Sequence, residues 1–139
     1  MSIVIYTDGG ARGNPGAAGA GVVIYDGQKK VAEIKKFLSE RQTNNWAEYE
    51  ALILGLQEAK KRGLGGREIE VRMDSELIVR QMTGEYQVKE ETLWPQYMKV
   101  HNLLVANFPH SRFVHIPREE NKEADRLVNE AIDEAGKSV

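Results

Sequence analysis

Cysteine is absent from the sequence, and so is any long run of apolar residues. The lack of cysteine excludes disulfide bonds, thiolate zinc sites and cysteine nucleophiles together. A membrane span needs roughly 20 consecutive apolar residues, and the N-terminus lacks the basic region and apolar stretch of a secretory signal. We therefore expect a cytoplasmic protein with no membrane partner.

The composition is that of an ordinary globular protein, with 41% hydrophobic and 29% charged residues among 139. This length is sufficient for one hydrophobic core, so residues 1–139 are predicted to form a single domain. The 19 basic and 21 acidic side chains leave a formal net charge of −2. That balance argues against a protein that coats nucleic acid nonspecifically.

Three strands are predicted in the first third of the chain. Ser2–Thr7 is apolar on both faces, which is typical of a central strand covered on two sides, and it is expected to end at Asp8. Glycine-rich sequence follows. Val22–Tyr25 and Lys29–Phe37 then form a predicted hairpin, so the first three strands are expected to be antiparallel.

Helices and strands alternate in the rest of the chain. A long helix is predicted over Trp46–Arg62, with Asn45 as N-cap and Glu48 as the reciprocating residue of a capping box. Trp46 and Trp94 are expected in the core. The other predicted elements are the strands Glu68–Met73 and Ser111–Ile116 and the helices Ser75–Met82, Thr92–Asn107 and one capped by Asn121. This order predicts an α/β fold in which helices flank a mixed sheet.

Four carboxylates stand where such a fold brings residues together. Asp8 and Asp74 each follow a predicted strand, and parallel strands place their carboxyl ends at one edge of the sheet. Glu48 lies in the first turn of the long helix, and Asp125 lies near the start of the last one. Each alone is also an ordinary turn former or helix-dipole partner. As a set they repel one another unless cations bind, and oxygen ligands favour magnesium or manganese. They predict two-metal hydrolysis of a phosphodiester.

The glycine-rich stretch at 9–21 does not fit the phosphate-binding loops. It leads into a predicted strand, whereas a P-loop ends in Gly-Lys-Ser/Thr and opens a helix. The spacing of a dinucleotide fingerprint is absent as well. An aspartyl phosphatase usually carries a second Asp two residues after the first, where Gly10 stands. The three histidines lack the spacing of zinc ligands.

Four motifs in order carry a resemblance to a known family. They are Ile5–Gly16 (IYTDGGARGNPG), Thr43-Asn44-Asn45 followed by Glu48 and Tyr49, Asp74-Ser75 after a strand, and Asn121–Asp125 (NKEAD). Together they resemble ribonuclease H of type 1 over essentially the whole chain. The compact pattern is similar to the archaeal-type branch of that family.

The resemblance implies a five-stranded mixed sheet and an endonuclease that cleaves the RNA strand of RNA/DNA hybrids, leaving 3′-hydroxyl and 5′-phosphate ends. It implies two bound Mg²⁺ ions, with Mn²⁺ as a possible substitute. The implied catalytic and metal-binding residues are Asp8, Glu48, Asp74 and Asp125. The implied substrate contacts are Asn14, Asn44 and Asn45 in the minor groove and Arg41 and Thr43 at a phosphate of the DNA strand. The segment 43–45 is equally suited to helix capping, and the two roles can coexist.

Three features depart from the pattern of the family. The short stretch Thr83–Thr92 leaves no room for the basic protrusion with which many members grip the hybrid. Glu90 stands where an Asn of the phosphate pocket is often found. Pro117–Glu120 leads directly into the last helix, so the loop histidine of many members is missing. Arg118 is expected to assist catalysis instead, by stabilising developing charge.

Two alternatives stay open from the sequence. One is a related nuclease that also or mainly cuts duplex RNA, and the other is a module that binds hybrids without cutting them. The second would be favoured by a missing carboxylate, and none is missing. No exposed apolar helix face is predicted, so we expect a monomer that requires no protein partner.

Overall fold

The computed structural model describes residues 2–137. Its strands and helices, in chain order, are β1 (Ile3–Arg12), β2 (Gly16–Asp26), β3 (Lys29–Gln42), α1 (Asn44–Lys61), β4 (Ile69–Met73), α2 (Glu76–Met82), α3 (Trp94–Asn107), β5 (Ser111–His115) and α4 (Lys122–Gly136). Single 3-10 turns, Glu91–Leu93 and Arg118–Glu120, precede α3 and α4. Within the described range, no helix combines the length and the apolar character that crossing a membrane requires.

The five strands form one mixed sheet in the order β3-β2-β1-β4-β5. β2 pairs antiparallel with both β1 and β3, whereas β1 with β4 and β4 with β5 are parallel pairs. The predicted fold class, with three antiparallel strands followed by parallel ones, is confirmed. β1 is the central strand, and its Ile3 and Ile5 are fully buried, as the apolar pattern predicts.

The glycine-rich stretch belongs to the sheet, although its composition is that of a loop. β1 continues through Asp8 to Arg12 and β2 begins at Gly16, so the prediction that the first strand ends at Asp8 is wrong. The parallel pairing with β4 nevertheless stops at Tyr6. Asp8 therefore still lies just beyond the parallel part of the sheet, where a site is expected.

Two of these glycines are required because helices lie very close to both faces of the sheet. A Cβ atom on Gly9 would lie 2.1 Å from the carbonyl oxygen of Ala47 in α1. One on Gly21 would lie 2.2 Å from the carbonyl oxygen of Ala124 in α4. Neither position accepts a side chain without displacing a helix. This close approach places the N-terminal parts of α1 and α4, which carry two of the predicted carboxylates, against β1 and β2.

The N-terminus of α1 differs from the prediction. The N-cap is Thr43, whose Oγ1 accepts a hydrogen bond of 3.2 Å from the backbone N–H of Trp46. The predictions that Asn45 caps the helix and that Glu48 completes a capping box are therefore wrong. Because the helix begins earlier, Glu48 lies beyond its first turn and is buried, so its carboxylate is available for other partners.

The main core lies between the sheet and the helices α1, α2 and α3. Tyr49 is fully buried, and its hydroxyl donates a 2.6 Å hydrogen bond to Oε1 of Gln81, which joins α1 to α2. Trp46 is partly buried against this core. Trp94 is 53% exposed, contrary to the expectation, because its ring lies on the outer side of α3 with Nε1 donating to the carbonyl of Val88.

Candidate active site

Three of the four predicted carboxylates meet where β1 and β4 cease to pair. Asp8 of β1, Glu48 of α1 and Asp74, which follows β4, each offer one carboxylate oxygen to a cluster in which these atoms all lie within 4.8 Å of one another. Asp125, in the first turn of α4, lines the same open cleft of about 480 Å³. The tertiary structure thus brings together residues that are far apart in the chain.

Glu48 is held by one oxygen only. Its Oε1 accepts a 2.7 Å hydrogen bond from the backbone N–H of Gly9. Its Oε2 is buried and has no hydrogen-bond partner within residues 2–137. A buried carboxylate oxygen without a partner destabilises the folded state, and a bound cation would supply that partner.

Burial governs the protonation of the cluster. It raises the pKa of Asp8 from 3.8 to about 7; the neighbouring carboxyl group of Glu48, where it holds a shared proton, opposes this rise, and the charges of Asp74 and Asp125 add to it. Burial, followed by the charge of Asp8, raises the pKa of Glu48 well above its usual range. Burial also raises the pKa of Asp74. Without a cation, the cluster therefore retains protons close to neutral pH.

This donor set fits a hard divalent cation. Its members are carboxylates without histidine or cysteine, which is the preference of magnesium and manganese rather than zinc. A cation would neutralise the mutual repulsion and satisfy the unpartnered oxygen of Glu48. Asp125 lines the same cleft, and its charge adds to the effect of burial in raising the pKa of Asp8, so a fourth carboxylate is available beside the cluster.

Two of the three predicted substrate-binding amides, Asn44 and Asn45, line the cleft, and the third, Asn14, is hydrogen-bonded to Asn44. Oδ1 of Asn14 accepts a 3.0 Å hydrogen bond from the N–H of Asn44, and Oδ1 of Asn44 accepts one of 2.8 Å from the N–H of Ala11. Both bonds use the acceptor side of the amide, which leaves the Nδ2 groups to donate elsewhere. Asn44 and Asn45 line the cleft itself.

The predicted phosphate contacts lie at the junction of β3 and α1. Thr43 is the N-cap of α1, so its hydroxyl oxygen already accepts a hydrogen bond. Arg41 is exposed, and its guanidinium has neither a hydrogen bond nor an ion pair with any described residue. Their role at a phosphate stays a prediction.

Arg118, which is predicted to assist catalysis, is one of the residues that line the cleft. It lines the cleft from the 3-10 turn before α4, and its positive charge lowers the pKa of Asp74 against the larger effect of burial. His115 is the last residue of β5 and is exposed. Only the residues 116–121 connect β5 to α4, which agrees with the predicted absence of a long loop.

Sequence reasoning missed two residues of the site. Arg12 lines the cleft at the end of β1, and its guanidinium donates to Asp133 at 2.6 Å and to Oδ1 of Asn129 at 3.1 Å on α4. Asn121 is buried beside Asp74. Both stand within the motifs quoted from the sequence, but Arg12 lies in the glycine-rich stretch, for which no strand is predicted, and Asn121 is predicted only as a helix cap.

The comparisons with known proteins agree with this geometry. Residues 6–131 match a family described as reverse transcriptase-like. A ribonuclease H of Pseudomonas putida is 31% identical, and the match covers 96% of this chain and 95% of that protein. The chain belongs to the ribonuclease H family. A solved ribonuclease H, LC11-RNase H1 in complex with an RNA/DNA hybrid, is 54% identical with a TM-score of 0.92, and the match covers 96% of this chain and 99% of that one.

Some members of the ribonuclease H family are much longer than this chain. A bifunctional protein of Mycobacterium tuberculosis is 44% identical over 141 residues, which cover 100% of this chain but 38% of that protein. The chain therefore spans less than half the length of such relatives.

The predicted resemblance to ribonuclease H of type 1 is confirmed by these comparisons.

Proposed function

We propose that this protein is an endonuclease that hydrolyses the RNA strand of RNA/DNA hybrids and leaves 3′-hydroxyl and 5′-phosphate ends. The observation that carries the proposal is the buried cluster of Asp8, Glu48 and Asp74 in an open cleft. Membership of the ribonuclease H family supports the reaction. The 54% identity to a ribonuclease H solved with an RNA/DNA hybrid supports the substrate.

We propose two Mg²⁺ ions as the cofactor, with Mn²⁺ as a substitute, held by Asp8, Glu48, Asp74 and Asp125. Ions bound there would activate a water molecule and neutralise charge on the phosphodiester. The protein contributes the fixed positions of the four carboxylates. The chain itself needs no serine, threonine or cysteine nucleophile for this chemistry.

The rim of the cleft provides the proposed substrate contacts. Asn14, Asn44 and Asn45 would contact the minor groove, where amide groups bond to bases and sugars without requiring one base sequence. Arg41 and Thr43 would hold a phosphate of the DNA strand. Arg118 would stabilise negative charge that develops at the scissile phosphate.

Substrate comparison tests the proposal. End-labelled RNA/DNA, RNA/RNA and DNA/DNA duplexes are incubated with the protein in Mg²⁺, in Mn²⁺ and in chelator. We expect cleavage of only the RNA strand of the hybrid, only with metal, and products that carry 5′-phosphates. Faster cleavage of RNA/RNA would support the duplex-RNA nuclease instead. Binding of the hybrid without cleavage in either metal would support the binding module.

Asp8→Asn is the matched catalytic variant. The substitution removes a charged ligand but preserves the shape of the side chain, and it reduces the repulsion within the cluster. We expect a folded protein that does not cleave the hybrid. Full activity of this variant would refute the proposed mechanism.

We also propose a cytoplasmic monomer that needs no protein partner. The four proposed ligands belong to the 21 acidic residues, against 19 basic ones. With two divalent ions bound, the protein would therefore carry a small positive charge, which suits reversible binding of a polyanion. Light scattering coupled to size-exclusion chromatography tests the oligomeric state.

A further inference from the structure

Asn121 is a buried polar residue that the proposed reaction does not use. Its side chain is 1% exposed, and it stands between the 3-10 turn and the first residue of α4. An asparagine at this position normally caps the helix. Asn121 is the N-cap of α4 by position, but its side chain makes no capping bond, and its φ of −117° and ψ of 30° differ from the extended backbone usual at an N-cap. The amide is therefore committed to other partners.

Those partners adjoin three of the four carboxylates. Nδ2 of Asn121 donates a 3.0 Å hydrogen bond to the carbonyl oxygen of Thr7, the residue that precedes Asp8. The same nitrogen lies 3.5 Å from Oδ2 of Asp74. The backbone carbonyl of Asn121 accepts a 3.0 Å hydrogen bond from the N–H of Asp125.

The amide oxygen of Asn121 adds no hydrogen bond that would stabilise the fold. Oδ1 is buried and has no hydrogen-bond partner among the described residues. An unpartnered buried acceptor destabilises the folded protein. The donor side of the same amide connects β1 at Thr7 and Asp74, the residue after β4, to the start of α4.

We propose that Asn121 is a positioning residue that sets the separation of the metal-binding carboxylates. Its amide ties α4 to β1 and to Asp74, and this fixes Asp125 relative to Asp8. The inference rests on the proposed function, since it assigns the carboxylates to metal binding. Side chains that orient metal ligands in this way typically contribute 10- to 100-fold to metal affinity or activity.

Asn121→Ala is the direct test, with Asn107→Ala as the matched control. Asn107 is a half-buried asparagine whose Nδ2 donates to the carbonyl of Leu103 within α3. Mn²⁺ binding to the substrate-free protein is measured by calorimetry, and kcat and KM for the hybrid are measured over a range of metal concentrations. For Asn121→Ala we expect about 10- to 100-fold weaker Mn²⁺ binding. We also expect reduced kcat that excess metal partly restores, and KM within about two-fold of the wild type.

Asn121→Ser separates positioning from packing. A hydroxyl can donate to one of the two acceptors, so we expect Mn²⁺ affinity between those of the wild type and Asn121→Ala. Wild-type affinity and kcat in either folded variant would overturn the inference. So would a failure of both variants to fold, because Asn121 would then act through stability. A wild-type protein that neither binds Mn²⁺ nor cleaves the hybrid would refute the proposed function instead.

Discussion

The backbone N–H of Gly9 donates a 2.7 Å hydrogen bond to Oε1 of Glu48, a residue 39 positions away. Gly9 is also the residue whose missing side chain allows α1 to approach β1. One glycine therefore provides both the space and the donor that place Glu48. Because Gly9 follows Asp8 directly, the geometry of two proposed ligands depends on a single peptide unit.

Glu48→Gln separates the structural and chemical roles of this residue. The amide oxygen of glutamine can still accept the bond from Gly9, so the fold is expected to persist. The variant loses a charged ligand, and we expect hydrolysis to fall at least about 100-fold. Activity and circular dichroism are compared with those of Glu40→Gln, which alters an exposed carboxylate on β3. Equal activity of the two variants would contradict the assignment.

Gly9→Ala tests the close approach of α1. The new methyl group would lie 2.1 Å from the carbonyl oxygen of Ala47, so the helix must shift. We expect a loss of about 2–4 kcal/mol in the free energy of unfolding, together with a loss of hydrolysis. Gly136→Ala is the control, because nothing lies within 4 Å of a Cβ atom placed there. Urea unfolding of both variants measures the difference.

The metal-free protein is expected to lose stability as the pH rises from about 4 to 7. Folding raises the pKa of Asp8 from 3.8 to about 7 through burial. The folded state therefore holds this proton more tightly than the unfolded state. The contribution of this proton to the free energy of unfolding is fully present below pH 3.8 and is lost as the pH rises through 7. Its size is on the order of 2–4 kcal/mol. Urea unfolding in chelator measures it, and Asp8→Asn should show a much smaller decrease over this range.

Added Mg²⁺ is expected to stabilise the protein more at pH 8 than at pH 5.5. At the lower pH, a cation must displace protons from Asp8 and Glu48, whose pKa values are raised by burial. At a free concentration 100 times its dissociation constant, a ligand stabilises by about 2.7 kcal/mol. Thermal unfolding with and without Mg²⁺ at both pH values tests this. If Mg²⁺ raised the unfolding temperature equally at the two pH values, the cation would not be displacing these protons.

Arg118→Ala is expected to reduce kcat about 10-fold or more while KM for the hybrid changes little. The residue lines the cleft beside Asp74, and a guanidinium there can stabilise charge that develops during the reaction. Arg112→Ala is the matched control, since Arg112 on β5 pairs with Glu70 on β4 and its side chain is 71% exposed. Unchanged turnover in Arg118→Ala would remove the residue from the mechanism.

Local patterns in the sequence were sufficient to predict most of the strands and helices of the fold. The apolar run at Ile3–Ile5 predicted the central strand, and helical periodicity predicted the helix that contains Glu48. The sequence does not predict the strands at 9–21, because glycine is typical of loops. In this protein glycine is needed within the strands, since α1 and α4 lie against them. That requirement arises from contacts with distant residues and leaves no local signal.

The sequence by itself determined the order of the strands and helices, the four carboxylates and the resemblance to ribonuclease H. Only the tertiary structure decided which carboxylate oxygens lie within 4.8 Å of one another, which oxygen of Glu48 lacks a partner and what Asn121 bonds to. The physical reason is that desolvation and hydrogen bonding depend on groups brought together from up to 121 positions apart. Local propensity describes a residue with its chain neighbours, whereas the chemistry of this cleft depends on its neighbours in space.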